Sequence, residues 1–178
     1  LIFGCGLGMP FRKGADLFID LGQKLFSRGH DDFHLYWIGD FDINYQDEVR
    51  GAWKVYVEQM RKKKVHKHIT FLGIKENPRE YLSAGDIFVL PSREDPFPLV
   101  ALEAADCGLP VLCFDKAGGM PDFVEDDAGY IVPYEDTAAM ADKVELLFDD
   151  ENLCKQLGSR AKEKLLERYT VEQTSPYT

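Results

Sequence analysis

Short apolar runs alternate with helical patterns along the whole chain, and this alternation constrains the fold more than any other feature. Runs that are apolar without interruption are typical of strands buried on both faces of a parallel sheet, with helices covering those faces. Right-handed crossover connections turn such a chain into a doubly wound sheet. The sequence therefore predicts an α/β fold with a Rossmann-like, six-stranded parallel sheet. The predicted strands are Leu1–Cys5, Phe33–Ile38, Ile69–Leu72, Ile87–Leu90, Val111–Phe114 and Tyr130–Val132.

Helical patterns fill the segments between these runs. The predicted helices are Gly14–Arg28, Asp47–Lys64, Pro78–Ser83, Pro98–Cys107, Thr137–Phe148 and Glu151–Arg168. Ligands of a doubly wound sheet bind beyond the carboxyl ends of its strands, where the strand order reverses; for the order 3-2-1-4-5-6 this point lies between the first and fourth strands. The loops concerned are Gly6–Gly14 and Pro91–Phe97, which also hold glycines and charged residues suited to a binding site.

Length and charge limit the class of protein. The 178 residues suit one domain spanning residues 1–178, and no run approaches the ~18 apolar residues that a membrane span requires. The net charge of −10 argues against nucleic-acid binding, but it allows a phosphorylated ligand at a local cationic site. Cys5, Cys107, Cys113 and Cys154 lack metal-type spacing, so we interpret them as reduced thiols of a cytoplasmic protein. The abrupt start and end indicate a piece of a longer protein.

A carboxylate lies within the segment Leu99–Cys107, which is apolar on nearly every side. A helix that is apolar all round is buried, and a buried carboxylate such as that of Glu103 requires a hydrogen-bonding or charged partner. That partner is either a ligand or the neighbouring backbone. Asp95, eight residues earlier, either caps the helix that begins at Pro98 or accepts hydrogen bonds from sugar hydroxyls, and the two roles are compatible.

The first loop reads GCGLGMPFRKG from Gly4 to Gly14. Alternate glycines let the backbone approach a ligand closely, and Arg12 and Lys13 directly precede the next helix. Backbone N–H groups, a helix N-terminus and two cations suit a diphosphate. The glycine spacing is neither the GxGxxG of dinucleotide folds nor a phosphate loop, and a plain strand-to-helix turn requires similar residues.

Four blocks of the chain, taken in order, resemble the nucleotide-binding, C-terminal half of a GT-B glycosyltransferase of family 4 (glycosyltransferase group 1). RKGADLF at Arg12–Phe18 resembles the family's KG-x-D helix start. FLGIKENPREYLSAGDIFVLPSREDPFPLVALEAADCGLPV at Phe71–Val111 resembles its longest signature. AGGMPDFVEDDAGYIVP at Ala117–Pro133 resembles its glycine-pair block, and Thr137–Arg168 resembles its closing pair of helices.

This resemblance implies roles for individual residues. The family's E-x7-E motif falls on Asp95, which would contact the donor sugar, and on Glu103, which would bind the ribose. Lys13 matches the diphosphate-binding lysine, so Asp95, Glu103 and Lys13 are the expected catalytic residues. The family's first acid is a glutamate, so Glu94 is an alternative to Asp95. Arg12 is a further expected donor contact, and it would replace a family arginine whose position holds Gly8 here. Gly73 and Ile74 would lie near the base. The remaining expected donor contacts are Gly6, Gly8, Phe97, Pro98 and Leu99, and Pro98 stands where the family has glycine.

The same resemblance implies transfer of a hexosyl unit from a UDP-sugar or GDP-sugar, with retention of configuration, in polysaccharide biosynthesis. Neither a cofactor nor a metal is expected. A carbohydrate or lipid-linked acceptor would be held by an N-terminal domain absent from this chain, so the chain alone is expected to be inactive. The implied location is the cytoplasm, at the inner face of the membrane. Arg61–Lys64 with His66, Lys67 and His68 either contact that membrane peripherally or form a solvated helix end.

Two other functions remain open. A non-catalytic nucleotide-binding or partner-binding module is favoured by the departures from the family pattern at Gly8, Asp95 and Pro98. A sugar-nucleotide epimerase would share the two-domain architecture, although the acid pair and the RKG block fit it less well.

Overall fold

The computed structural model describes residues 1–40 and 48–169. Six strands form one parallel sheet in the order β3-β2-β1-β4-β5-β6, as the alternation of apolar runs predicts. The strands are β1 (Ile2–Cys5), β2 (Leu35–Ile38), β3 (Ile69–Gly73), β4 (Ile87–Leu90), β5 (Val111–Phe114) and β6 (Gly129–Val132). The predicted strands are thus all present, with ends shifted by no more than two residues.

The helices of the described residues are α1 (Ala15–Ser27), α2 (Glu48–Lys62), α3 (Pro78–Leu82), α4 (Leu99–Asp106), α5 (Met120–Val124), α6 (Thr137–Asp149) and α7 (Glu151–Arg168). Asp47, the predicted start of the second helix, lies outside the described residues. Helix α5 was not predicted, because its five residues, with Pro121 in the first turn, are too few to show a helical period.

Each face of the sheet packs against its own set of helices. Helices α1, α2 and α6 cover one face, where Phe18 packs edge-on against the fully buried Trp37 at 5.2 Å between ring centroids. Helices α3, α4 and α5 cover the other face, where Phe88 and Phe123 are also fully buried. This double coverage explains why the strands are apolar without interruption.

Helix α7 is joined to the body of the domain by a buried lysine. The Lys164 side chain is 0% exposed, and its ammonium donates to the carbonyl oxygens of Phe123 at 3.1 Å and Val124 at 3.2 Å. The same ammonium pairs with Glu125 at 2.8 Å and with Asp127. A buried cation is tolerated only with such partners, so these contacts hold α7 against the end of α5.

Candidate functional site

The site lies where β1 and β4, neighbours at the centre of the sheet, end at the same edge. Ile2 pairs with Ile87 in parallel register, so the loops that follow the two strands leave the sheet side by side. This is the reversal point of the strand order, where doubly wound sheets bind ligands. The backbone joins the two loops directly, because the N–H of Arg93 donates to the carbonyl oxygen of Arg12 at 2.8 Å.

An ion pair connects the same loops next to that backbone bond. The ammonium of Lys13 lies 2.6 Å from a carboxylate oxygen of Asp95, although the two residues are 82 positions apart. Only 20% of the lysine side chain and 10% of the aspartate side chain are exposed. The neighbouring Glu94 side chain is 75% exposed and lies 3.8 Å from Arg12. Asp95, and not Glu94, is therefore the acid that pairs with Lys13, whereas Glu94 lies at the exposed rim beside Arg12.

Glycines make the close approach of the loops possible. Gly14 has φ of 75°, and a β-carbon there would overlap the carbonyl oxygen of Pro91. Gly118, in the loop after β5, has φ of 142°, and a β-carbon there would overlap the carbonyl oxygen of Asp95. The N–H of Asp95 donates to the carbonyl oxygen of Ala117 at 2.7 Å, so a third loop fixes the backbone of this acid.

Glu103 is half-buried on α4, and its carboxylate forms no hydrogen bond or ion pair with the residues that the structure describes. Glu103 lies on α4, which follows the loop of Asp95. The pKa of the Cys5 thiol, at the end of β1, is raised to about 12, first by burial and then by the negative charge of Glu103; Lys13 lowers this pKa and Asp95 raises it. All three charged groups therefore act on the same thiol.

The expectation that α4 is buried all round is wrong. Ala101, Ala104 and Ala105 form its buried face, but Leu99 is 73% exposed at its first turn. The N–H groups of Leu99 and Val100 donate to no carbonyl oxygen within the described part of the chain. Asp106, on the same helix, pairs with Arg79 and not with the site.

Two glycines of the first loop have their N–H groups engaged within the protein. The N–H of Gly6 donates to the carbonyl oxygen of Ile38 at 3.0 Å, and that of Gly8 donates to the carbonyl oxygen of Asp40 at 2.9 Å. These N–H groups are thus already used within the protein. A β-carbon on Gly6 would lie 2.7 Å from both Lys13 and Trp37, so the glycine allows Lys13 to pack beside the strand end.

The helix N-terminus next to that loop is partly occupied. The N–H groups of Lys13, Gly14 and Ala15 donate to the carbonyl oxygens of Met9, Phe11 and Pro10. Asp16 adds a negative charge to the first turn of α1. The N–H groups of Asp16 and Leu17, in the first turn of α1, donate to no carbonyl oxygen of the described residues. Diphosphate binding by this helix N-terminus together with Lys13 and Arg12 stays a prediction.

Other predicted site residues lie at the rim of this edge or support it. The Arg12 side chain is 39% exposed and donates to the carbonyl oxygen of Glu94 at 3.1 Å. The Phe97 ring packs on Tyr169 at 5.4 Å between ring centroids, and Pro98 is buried at the start of α4. Gly73 has φ of 74° and accepts a hydrogen bond from Gly39 at 2.9 Å, which places the exposed Ile74 beyond β3 at the same edge.

Two supporting residues were not singled out from the sequence. The Arg93 side chain is only 11% exposed and binds Asp16 through two hydrogen bonds, rather than the adjacent Glu94. Gly118 belongs to a glycine pair whose role was not assigned. Arg93 belongs to the sequence PSRED and Gly118 to the sequence AGG, but neither sequence reveals that the two loops meet.

The structure also bears on metal binding, membrane crossing and the basic residues Arg61–Lys64, His66, Lys67 and His68. Within residues 1–40 and 48–169, no group of three or more histidine, cysteine, aspartate or glutamate side chains is arranged to hold a metal ion. None of the helices in those ranges is long and apolar enough to cross a membrane. The basic cluster formed by these residues precedes β3, at the opposite edge of the sheet from the site. Two of its members, Lys62 and Lys63, pair with Glu58 and Asp20. Membrane contact by this cluster stays a prediction.

Comparison with known proteins identifies the family. A family model described as Glycosyl transferases group 1 matches residues 9–164. N-acetyl-alpha-D-glucosaminyl L-malate synthase of Bacillus anthracis is 35% identical over 109 residues, which are 61% of this chain and 28% of that protein. The chain spans about a third or less of the length of such curated relatives.

Solved structures share the fold. Anabaena HepE in complex with UDP matches with a TM-score of 0.84 at 21% identity, over 96% of this chain and 45% of that chain. The C-terminal domain of a glycosyl transferase group 1 family protein (LpcC) from Francisella tularensis matches with a TM-score of 0.79 at 24% identity, over 96% of this chain and 86% of that chain. Since the family model spans most of the sequence, this chain belongs to the group 1 glycosyltransferases, with a Rossmann-like fold of the kind found in GT-B enzymes.

Proposed function

We propose that this chain is the donor-binding domain of a retaining group 1 glycosyltransferase and binds a nucleotide-diphospho-sugar beyond the ends of β1 and β4. The main observation behind the proposal is that the half-buried Glu103 carboxylate has no partner among the described residues and lies on α4, the helix that follows the loop of Asp95, the acid paired with Lys13. The Glu103 oxygens are not among the buried, unpaired side-chain atoms of the described residues, so they are open to accept hydrogen bonds from a ligand. Ribose hydroxyls are such donors, and we assign them to Glu103.

The two cations beyond the end of β1, Lys13 and Arg12, suit the diphosphate. Lys13 would exchange part of its contact with Asp95 for phosphate oxygens, and the half-exposed Arg12 would approach from the rim. The N–H groups of Leu99 and Val100 at the start of α4 are further donors, whereas Pro98 has none. Cations and oriented N–H groups stabilise the charge that develops on a departing diphosphate, which is often the largest catalytic term. No metal is needed for this role.

Asp95 would then orient the transferred sugar by accepting hydrogen bonds from its hydroxyls. Its carboxylate is fixed by Lys13 and its backbone by Ala117, so it is preorganised before the donor arrives. The acceptor, a carbohydrate or a lipid-linked sugar, would be held by an N-terminal domain outside this chain. The chain alone would therefore bind the donor without transferring the sugar.

Two comparisons support this proposal. HepE, which shares the fold, was solved with UDP, and we extend that ligand class to this chain. The matching LpcC structure is itself a C-terminal domain, which favours the same position for residues 1–178 in a longer enzyme.

Titration calorimetry with UDP and GDP tests the proposal. We expect one nucleotide to bind more tightly, which would name the base. Glu103→Gln should weaken its binding by about 10- to 100-fold, because a charged hydrogen bond contributes about 1.5–3 kcal/mol. Lys13→Met should cost a similar factor. Asp106→Asn, on the same helix as Glu103, and Lys155→Met, which breaks a surface lysine–glutamate pair, are matched controls that should leave binding unchanged.

Unchanged affinity in both Glu103→Gln and Lys13→Met would show that the nucleotide binds elsewhere. Absence of UDP and GDP binding to the unaltered chain, together with absence in the full-length enzyme, would favour a non-catalytic module instead.

A further inference from the structure

Arg93 forms an unusually complete set of hydrogen bonds close to the proposed donor site. Its guanidinium donates twice to the Asp16 carboxylate, at 2.8 and 2.7 Å, once to Glu135 at 3.0 Å and once to the carbonyl oxygen of Phe11 at 2.6 Å. The ring of Phe11 lies over the guanidinium, 3.8 Å from its carbon to the ring centroid. With 11% of the side chain exposed and most N–H groups engaged, Arg93 is poorly placed to contact a ligand itself.

The backbone of Arg93 is bound in the same place. Its N–H donates to the carbonyl oxygen of Arg12 at 2.8 Å, and its carbonyl oxygen accepts from the Tyr134 hydroxyl at 3.1 Å. One residue thus joins the loop after β1, the loop after β4 and the loop after β6. Lys13 follows Arg12 directly, and Asp95 is two residues beyond Arg93, so these bonds surround both members of the ion pair.

Glu135 adds an independent observation. Its φ is 58°, in the left-handed region that non-glycine residues rarely adopt. Such conformations persist where surrounding contacts hold them, often near functional sites. Here the carboxylate of Glu135 contacts Arg93, and the next residue, Asp136, caps α6. The strained loop is therefore held in the conformation that presents its acid to Arg93.

We propose that Arg93 is a positioning residue: by joining the loops after β1, β4 and β6, it sets the distance between Lys13 and Asp95 and so aims the Lys13 ammonium at the donor diphosphate. The inference rests on the proposed function and deepens it. Arg93 acts through Lys13, so removing Arg93 should matter for nucleotide binding only while Lys13 is present.

A double-mutant cycle on UDP and GDP affinity tests this dependence. In the unaltered background, Arg93→Met should weaken binding by about 10-fold, a size typical of coupled neighbours. In the Lys13→Ala background the same change should cost less than about twofold. Arg93→Lys, which keeps the charge but cannot bind all three partners, should give an intermediate loss. Arg160, on α7, also forms several ion pairs, and its guanidinium lies 2.9 Å from the Asp127 carboxylate. Arg160→Met should therefore change the affinity for neither nucleotide.

A second readout needs no ligand. Amide hydrogen exchange should become faster in Arg93→Met at Lys13 and Asp95, whose N–H groups donate to Met9 and Ala117, and should stay unchanged at β5. Arg93→Lys gives the same comparison if the methionine variant does not fold.

The two measurements separate the proposals. Equal affinity losses in the two Lys13 backgrounds, or unchanged exchange at Lys13 and Asp95, would overturn the positioning role of Arg93. Faster exchange in a chain that binds neither nucleotide would support that role while contradicting the proposed function.

Discussion

Replacing Gly14 by alanine should show how strongly the site depends on two loops touching through their backbones. Gly14 precedes α1 with φ of 75°, and an added β-carbon would overlap the carbonyl oxygen of Pro91 at the start of the loop after β4. The clash is with backbone, so no side-chain rotation relieves it. Gly8 provides a matched control, because its φ is 57° and an added β-carbon would meet nothing within 4 Å.

The two glycines separate conformational strain from steric overlap. A left-handed alanine costs about 1 kcal/mol, which is the whole expected effect of Gly8→Ala on the free energy of unfolding. Gly14→Ala adds the cost of overpacking, about 2 kcal/mol, for a total of about 3 kcal/mol. With a urea dependence of about 2 kcal/mol per molar, the midpoint of Gly14→Ala should lie about 1 M below that of Gly8→Ala.

Urea unfolding followed by circular dichroism measures this difference, and calorimetry on the folded variants reports nucleotide affinity. We also expect Gly14→Ala to weaken nucleotide binding, because moving Pro91 shifts the loop that holds Asp95 away from Lys13. Equal urea midpoints for the two variants would refute the reasoning, since the Pro91 contact would then impose no constraint beyond the backbone conformation.

Two further predictions concern titrating groups. The pKa of Glu125 is lowered from 4.5 to about 2, chiefly by its hydrogen bonds from Arg168 and then Lys164. Because the unfolded chain takes up this proton at higher pH than the folded chain, the stabilisation is present above pH 4.5 and is lost as the pH falls toward 2. Glu125→Gln should flatten the pH dependence of unfolding in that range, and an unchanged profile would contradict this assignment. The pKa values of Cys5 and Cys113 are both raised to about 12 by burial, with Glu103 adding to the effect at Cys5. At pH 8 iodoacetamide should therefore label both only after unfolding, as mass spectrometry would show; equally fast labelling of the folded chain would disprove it.

The local pattern of the sequence was sufficient for most of the fold. Uninterrupted apolar runs between helical patterns predict strands buried on both faces, and the structure has all six of them in one parallel sheet. Helix α5 escaped prediction because five residues show no period. The burial of α4 was overestimated, since an apolar composition indicates burial only where other elements cover the helix, and nothing in the described chain covers Leu99.

The residue types of the candidate site could also be read from the sequence, because acids in apolar surroundings and cations next to glycines are local signals. Which of them meet could not. The Lys13–Asp95 pair joins residues 82 positions apart, and Arg93 finds Asp16 instead of the adjacent Glu94. Likewise, the N–H groups of Gly6 and Gly8 are consumed by the neighbouring strand end.

The sequence by itself thus determined the periodicities, and through them the elements, the class of fold and the group 1 family resemblance. Tertiary structure alone decided which charges are paired, which carboxylate is left without a partner and which backbone donors remain free. The physical reason is that hydrophobic periodicity is a property of neighbouring residues, whereas hydrogen bonds and ion pairs depend on ångström-scale distances between loops that only the assembled sheet brings together.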